Sequence, residues 1–191
     1  MVAIAAPRRK AGASLGVLAF SVMKTAALLV LAACASLPAF AASIEPDLAR
    51  LATDGVGWEI VSRPGFAAQA DADERPVAVQ SSPTAIAYVR GLELAEGTIE
   101  FTLRGRAGDG SSFVGVAFHG VDGTTYDGVY FRPFNFGHAN DVKRRHAVQY
   151  IAHPDWPWFR LRRERTDEFE KGITPEPAPD AWFTARIVRF S

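Results

Sequence analysis

The feature that most constrains the fold is a series of short strand-like runs separated by turn signals. In the clearest run, 98–104, apolar Ile99, Phe101 and Leu103 alternate with polar residues. Such period-two alternation is typical of a β-strand with one buried face. Similar runs recur at 55–62, 77–80, 85–90, 97–104, 112–120, 126–133, 146–151 and 182–190. The pattern predicts an all-β protein.

Turn chemistry indicates how some of these strands connect. Asp-Gly pairs occur in 108–110 and 121–125, where they favour tight hairpins. The runs 97–104, 112–120 and 126–133 are therefore expected to form an antiparallel meander.

Helical signals interrupt the strand pattern at two places. Segment 44–54 fits a short amphipathic helix. A helical insertion is expected over 155–172, where Asp155 can cap, Pro157 suits the first turn and Gly172 suits the stop. The arginines of this insertion are interleaved with acids, which favours a solvated helix face.

The N-terminus has the pattern of an export signal. Met23-Lys24 opens a positive region, an apolar run follows, and Ala39-Phe40-Ala41 provides a signal-peptidase site. We therefore interpret 1–22 as a spurious extension, 23–41 as a signal peptide and 42–191 as the domain. The expected location is the periplasm or the extracellular space.

Cys34 supports a competing interpretation of the same segment. The sequence Leu31-Ala32-Ala33-Cys34 resembles a bacterial lipobox, which would lipidate Cys34 and anchor the protein to the outer membrane. A membrane span is not expected, because Lys24 and Pro38 interrupt any apolar run of about 20 residues.

Charge and cysteine content restrict the class of function. Segment 42–191 has 17 basic and 21 acidic residues, a net charge of −4, and contains no cysteine. A mildly acidic chain without a basic stripe argues against a nucleic-acid partner. The absence of cysteine excludes a disulfide framework in this segment.

Strand parity brings a set of polar side chains onto one face. Tyr130 and Arg132 lie opposite Val129 and Phe131, and Gln149 occupies the corresponding face of the next run. Adding neighbours gives the predicted ligand-binding set of His119, Tyr130, Arg132, Asn135 and Gln149, with Glu100 possible from an adjacent strand. An aromatic ring with hydrogen-bonding groups suits sugar recognition. The alternative is that Arg132 pairs with a carboxylate such as Asp127 or Glu100 and stabilises the sheet.

The order of four motifs indicates a family. GTIEFTLRG (97–105), FVGVAFHG (113–120), YDGVYFRPFNF (126–136) and AVQY (147–150) together resemble the concanavalin A-like lectin/glucanase jelly roll. Within it, the chain is most similar to laminin-G-like bacterial domains described as 3-keto-disaccharide hydrolase-like.

The resemblance implies an all-β fold, an antiparallel two-sheet jelly-roll sandwich with one short helical insertion. Carbohydrate would be handled on its concave face. Family members continue with further strands beyond the position of Ser191, so the comparison implies a domain truncated at its C-terminus.

Three functions follow from the resemblance and the polar face. The first is an exported carbohydrate-binding domain. The alternatives are a glycoside-active hydrolase or lyase of the keto-disaccharide type, with a histidine or Glu100 as base, and a non-functional truncated copy. A laminarinase-type mechanism is not expected, because Glu93 and Glu96 are three residues apart and a strand would send them to opposite faces.

No cofactor is expected, although a calcium ion is possible. Asp109, Asp122 and Asp127 could bind calcium, while turn formation explains the first two equally well. The histidines have no spacing that indicates a metal triad.

Overall fold

A computed structural model describes residues 43–61, 67–69, 78–80, 86–93, 97–108, 110 and 112–189. The interpreted extension, the signal peptide and Cys34 lie outside the described residues, as does Asp109. The described strands are β1 Trp58–Val61, β2 Ala67–Gln69, β3 Ala78–Gln80, β4 Ile86–Val89, β5 Gly97–Leu103, β6 Val114–Phe118, β7 Tyr126–Phe131, β8 Val148–His153, β9 Glu170–Lys171 and β10 Phe183–Arg189. The helices are α1 Leu48–Thr53, α2 Asp141–Arg145 and α3 Trp158–Glu164, with a 3-10 turn at Pro133–Asn135. The all-β prediction is confirmed.

The largest described sheet is an antiparallel meander in the order β6-β7-β8-β9. Its first hairpin closes on the predicted turn at 121–125. There the Asp122 carboxylate accepts hydrogen bonds from the backbone N–H groups of Thr124 and Thr125, each at 2.7 Å. An aspartate that bonds its own backbone in this way stabilises a turn. The hairpin sets the register that aligns Gly115 with Tyr130.

The position of β5 differs from the prediction. β5 pairs with β10 rather than with β6, and Glu100 is aligned with Arg186. The apolar side of this two-stranded sheet, which includes Phe101 and Phe183, packs against Phe131 of the meander, with ring centroids 6.5 and 5.1 Å apart. The two sheets thus form a β-sandwich with an aromatic core.

The opposite face of the meander is covered by other elements. Ile151 and Tyr126 pack with Ile86 of β4 and Leu161 of α3. β4 also pairs with β1, and Trp58 of β1 is buried against α1. The meander therefore has packed apolar side chains on both faces.

Several boundaries differ from the sequence interpretation. The predicted strand from His146 begins at Val148, because the unpredicted α2, capped by Asn140 at its start, ends with His146 as its C-cap. The expected insertion at 155–172 contains a shorter helix, 158–164, and the strand β9. The short strand β2 lies outside the strand-like runs identified in the sequence. No helix in the described ranges is long and apolar enough to cross a membrane.

Candidate functional site

The site lies on the face of the meander that carries Tyr130, Gln149 and Glu170. The register aligns Tyr130 with Gln149 and Gln149 with Glu170, so the three side chains emerge on the same side of three adjacent strands. Arg132 follows β7 directly and extends over this face. The structure therefore brings together Tyr130, Arg132 and Gln149, as strand parity predicted.

Arg132 is the centre of a buried hydrogen-bond network. Its Nη1 donates to Glu170 Oε2 at 3.1 Å and to the His146 carbonyl oxygen at 3.0 Å. Its Nη2 donates to the Tyr130 hydroxyl at 2.9 Å and to Gln149 Oε1 at 3.0 Å. The carboxylate that pairs with Arg132 is thus Glu170, and the expected partners Asp127 and Glu100 were wrong. Glu100 instead lies exposed on the outer side of the β5–β10 sheet.

Glu170 joins this network to a second arginine at the surface. Arg162 donates from Nε to Glu170 Oε1 at 2.6 Å and from Nη2 to Oε2 at 2.5 Å. Burial opposes ionisation of Glu170, but the hydrogen bonds and charge of Arg162, assisted by His146 and Arg132, lower the pKa of this carboxyl below its ordinary value. The hydrogen bonds that Arg162 donates to Glu170 likewise raise the pKa of Arg162. Glu170 is therefore an ionised carboxylate shared by two guanidinium groups.

The amide side chains complete the network from within. Gln149 Nε2 donates to the Tyr150 and Phe169 carbonyl oxygens at 2.9 and 3.3 Å, and Asn135 Nδ2 donates to the His146 carbonyl oxygen at 2.9 Å. In the described part of the chain, every buried side-chain nitrogen or oxygen has a hydrogen-bond partner. A fully paired polar network of this kind stabilises one arrangement of the core.

Four of the predicted ligand-binding residues are buried within this network. The exposed fractions are 6% for Tyr130, 6% for Arg132, 5% for Asn135 and 1% for Gln149. Their contact with a ligand stays a prediction. Arg132 also has the structural role that the sequence allowed, because it pairs with a carboxylate and joins β7 to β8 and β9.

Solvent reaches the network at an exposed rim, which we define as Phe113, Trp158 and Arg162. Phe113 is 44% exposed and meets the Tyr130 ring edge-on at 5.9 Å. Trp158 is 45% exposed, and the guanidinium carbon of Arg162 lies 5.1 Å from the centroid of its ring. Trp156 differs from Trp158, because it packs partly buried against the core.

His119 lies apart from the network, contrary to its expected place on the polar face. β6 ends at Phe118, and His119 has a φ of +54°, which breaks the strand alternation. Its Nδ1 lies 2.6 Å from Asp127 Oδ2. Asp127 also hydrogen-bonds Tyr150, whose pKa is raised to about 12 by burial and by the charge of Asp127. The His119–Asp127 pair is therefore a separate polar group on the β5–β10 side of the meander.

His146 and His153 have structural surroundings. His146 Nε2 lies 3.7 Å from Glu170 Oε1 and 3.7 Å from Asp167 Oδ1, and burial lowers the pKa of this imidazole. His153 stacks on Tyr126 with ring centroids 5.0 Å apart, and burial lowers its pKa as well. In the described ranges, no group of three or more His, Cys, Asp or Glu side chains could hold a metal ion.

Sequence reasoning missed Glu170, Arg162 and the exposure of Trp158. Glu170 lay within a segment interpreted as one helix, so its acid charge was assigned to a solvated face. The alternation of Phe169, Glu170 and Lys171 before Gly172 was the available signal for a short strand.

Comparison with known proteins adds no further assignment: no protein-family model, curated protein or solved structure matches this chain. The fold and the site define an antiparallel β-sandwich protein with a buried arginine–glutamate network and an exposed aromatic rim.

Proposed function

We propose that this chain is an exported carbohydrate-binding β-sandwich domain, related to the concanavalin A-like jelly rolls, that binds a saccharide at the exposed rim. The observation that carries the proposal is the exposed indole of Trp158 beside the guanidinium of Arg162. Saccharide recognition uses an aromatic plane against the sugar ring and directional donors to its hydroxyl groups.

The buried network supports the proposal through rigidity. Two hydrogen bonds that Arg162 donates to Glu170 fix the orientation of the Arg162 guanidinium, and Arg132 donates a further hydrogen bond to the same carboxylate. A ligand that meets a preorganised donor loses less binding free energy to side-chain ordering. The buried network residues thus support binding by holding Arg162 in position, without contacting the ligand.

A glycan array tests this function. The wild-type protein should retain at least one saccharide class, and Trp158→Ala should lose it while remaining folded, because an exposed ring contributes little to stability. Val121→Ala is the control, since Val121 is an apolar residue in the turn between β6 and β7 and is 65% exposed. Retention of no glycan by the wild type would refute the proposed function. Equal retention by Trp158→Ala would refute the rim as its site.

A glycoside-active enzyme, either a hydrolase or a lyase, is the second candidate function. The His119–Asp127 hydrogen bond favours it, because a carboxylate that holds one imidazole nitrogen orients the other for proton transfer. Glu100 does not support it, since this residue lies on the outer side of the β5–β10 sheet. Release of reducing sugar by the wild type, and its loss in His119→Gln, would support the enzyme. Binding without release would support the first proposal.

A further inference from the structure

The buried network contains more positive than negative charge. Arg132 and Arg162 share the single negative charge of Glu170, so these three side chains together carry one positive charge. Glu170 and Arg132 are almost fully buried, with side-chain exposures of 2% and 7%, and solvent therefore screens this charge poorly. Tyr130 contributes no charge, because burial raises the pKa of its hydroxyl and keeps it protonated.

In the described part of the chain, the charged surroundings of Arg162 and Glu170 include Asp167 and the imidazole of His146. Asp167 lies near Arg162 and 3.7 Å from His146, but its side chain is 57% exposed and solvent screens its charge. His146 is neutral near pH 7, because burial lowers its pKa. The excess positive charge thus belongs to the buried part of the network and is accessible at Arg162.

Arg162 presents this charge in a defined direction. Its Nε and Nη2 are engaged by Glu170, while Nη1 has no polar partner among the described residues. Its side chain is 37% exposed. A guanidinium held along one edge keeps its remaining N–H groups in a fixed plane, and such groups bind carboxylates well.

We propose that the rim selects saccharides that carry a carboxylate, with the sugar ring against Trp158 and the carboxylate on Nη1 of Arg162. This inference rests on the proposed function and adds the chemical class of the ligand. The selectivity is local, because the segment 42–191 as a whole is acidic and supplies no general attraction for anions.

The test uses uronic-acid polysaccharides and their carboxyl-reduced counterparts. Polygalacturonate, alginate and hyaluronan would each be compared with the same polymer after chemical reduction of its carboxyl groups, together with a panel of neutral glycans. Reduction removes the charge and keeps the sugar backbone. We expect the wild-type protein to bind at least one acidic polymer about tenfold or more tightly than its reduced form, as a charge-assisted contact provides. This preference should weaken as salt is raised from about 0.01 to 0.1 M.

Two variants assign the preference to its residue. Arg162→Gln should abolish the difference between the acidic and the reduced polymer. Arg163→Gln should keep this difference, because the substitution removes a neighbouring arginine that is 68% exposed and pairs with Glu164. Circular dichroism of both variants would verify that the fold is retained.

The outcomes separate the two proposals. Equal binding of acidic and reduced polymers, or binding of neutral glycans alone, would overturn the carboxylate inference and leave saccharide binding intact. An acidic preference that survives in Arg162→Gln would overturn the assignment to the rim. Failure to bind any glycan of either class would refute the proposed function and the inference together.

Discussion

The substitution Glu170→Gln tests the buried network most severely. Glutamine keeps the shape of the side chain and removes its charge, which leaves Arg132, 6% exposed, without a counter-ion. It also removes the charge that holds Arg162. Removing one partner of a buried ion pair costs about 3–5 kcal/mol, because the other charge stays away from water. We expect a loss of this size in the free energy of unfolding.

Urea denaturation followed by circular dichroism measures the loss. With an m-value of about 2 kcal/mol/M, the transition midpoint should fall by about 1.5–2.5 M. Glu168→Gln is the matched control, because Glu168 pairs with Arg165 at 2.6 Å but the two side chains are about half exposed. Exposed pairs contribute about 0–1 kcal/mol, so this midpoint should hardly move.

A double variant distinguishes charge from packing. Removing both charges with Arg132→Met and Glu170→Leu leaves no unpaired ion between them, and the double variant should be less destabilised than the sum of the single ones. A loss in Glu170→Gln no larger than in Glu168→Gln, or strictly additive losses in the double variant, would refute the reasoning.

Three further predictions concern pH, packing and a turn. The pKa of Glu170 is lower in the folded protein than in the unfolded chain. The stabilisation that Glu170 provides is therefore present above the ordinary carboxyl pKa of about 4.3 and is lost as the pH falls through the folded value. Below about pH 4, the urea midpoint should fall more steeply with pH in the wild type than in Glu170→Gln. Gly115→Ala should cost about 1–3 kcal/mol in urea denaturation, since its Cβ would lie 2.5 Å from the Cα of Tyr130, whereas Gly128→Ala, with a nearest contact of 3.3 Å, should cost less; equal costs would contradict the packing argument. Asp122→Ala should lower the melting temperature in thermal denaturation, because two backbone N–H groups of its turn lose their acceptor, and an unchanged melting temperature would count against that role.

The strands were predictable because alternation is a local signal. Ile99, Phe101 and Leu103 alternate with polar residues, and all three face the sandwich core. Which strands pair could not be predicted in the same way. Alternation assigns a face to β5 but not a neighbour, and the pairing of β5 with β10 joins residues 80 to 92 positions apart.

The site was predictable as far as strand parity holds. Tyr130 and Gln149 share a face because β7 and β8 are regular and adjacent. Parity failed for His119, since a positive φ turns the chain at the end of β6. The partner of Arg132 could not be found locally, because Glu170 is 38 positions away and belongs to a strand of two residues.

The burial of these polar side chains was the property hardest to predict from the sequence. An arginine, an asparagine and a glutamine on the polar face of a strand are expected to meet solvent or a ligand. Here this face is covered, because α3 packs Leu161 into the same cluster as Tyr130 and Ile151, and β9 brings Glu170 beside Gln149. Only the assembled tertiary structure shows that Trp158 and Arg162 stay at the surface.

The central claim is that the rim binds a saccharide, and nuclear magnetic resonance of the indole N–H groups tests it most directly. The chain has four tryptophans, each with one indole signal. Titration with a saccharide retained on the array should shift the Trp158 signal, while Trp58, buried and donating to the Asp47 carbonyl oxygen, should not respond. A titration that shifts other tryptophan signals and leaves Trp158 unchanged would contradict the account.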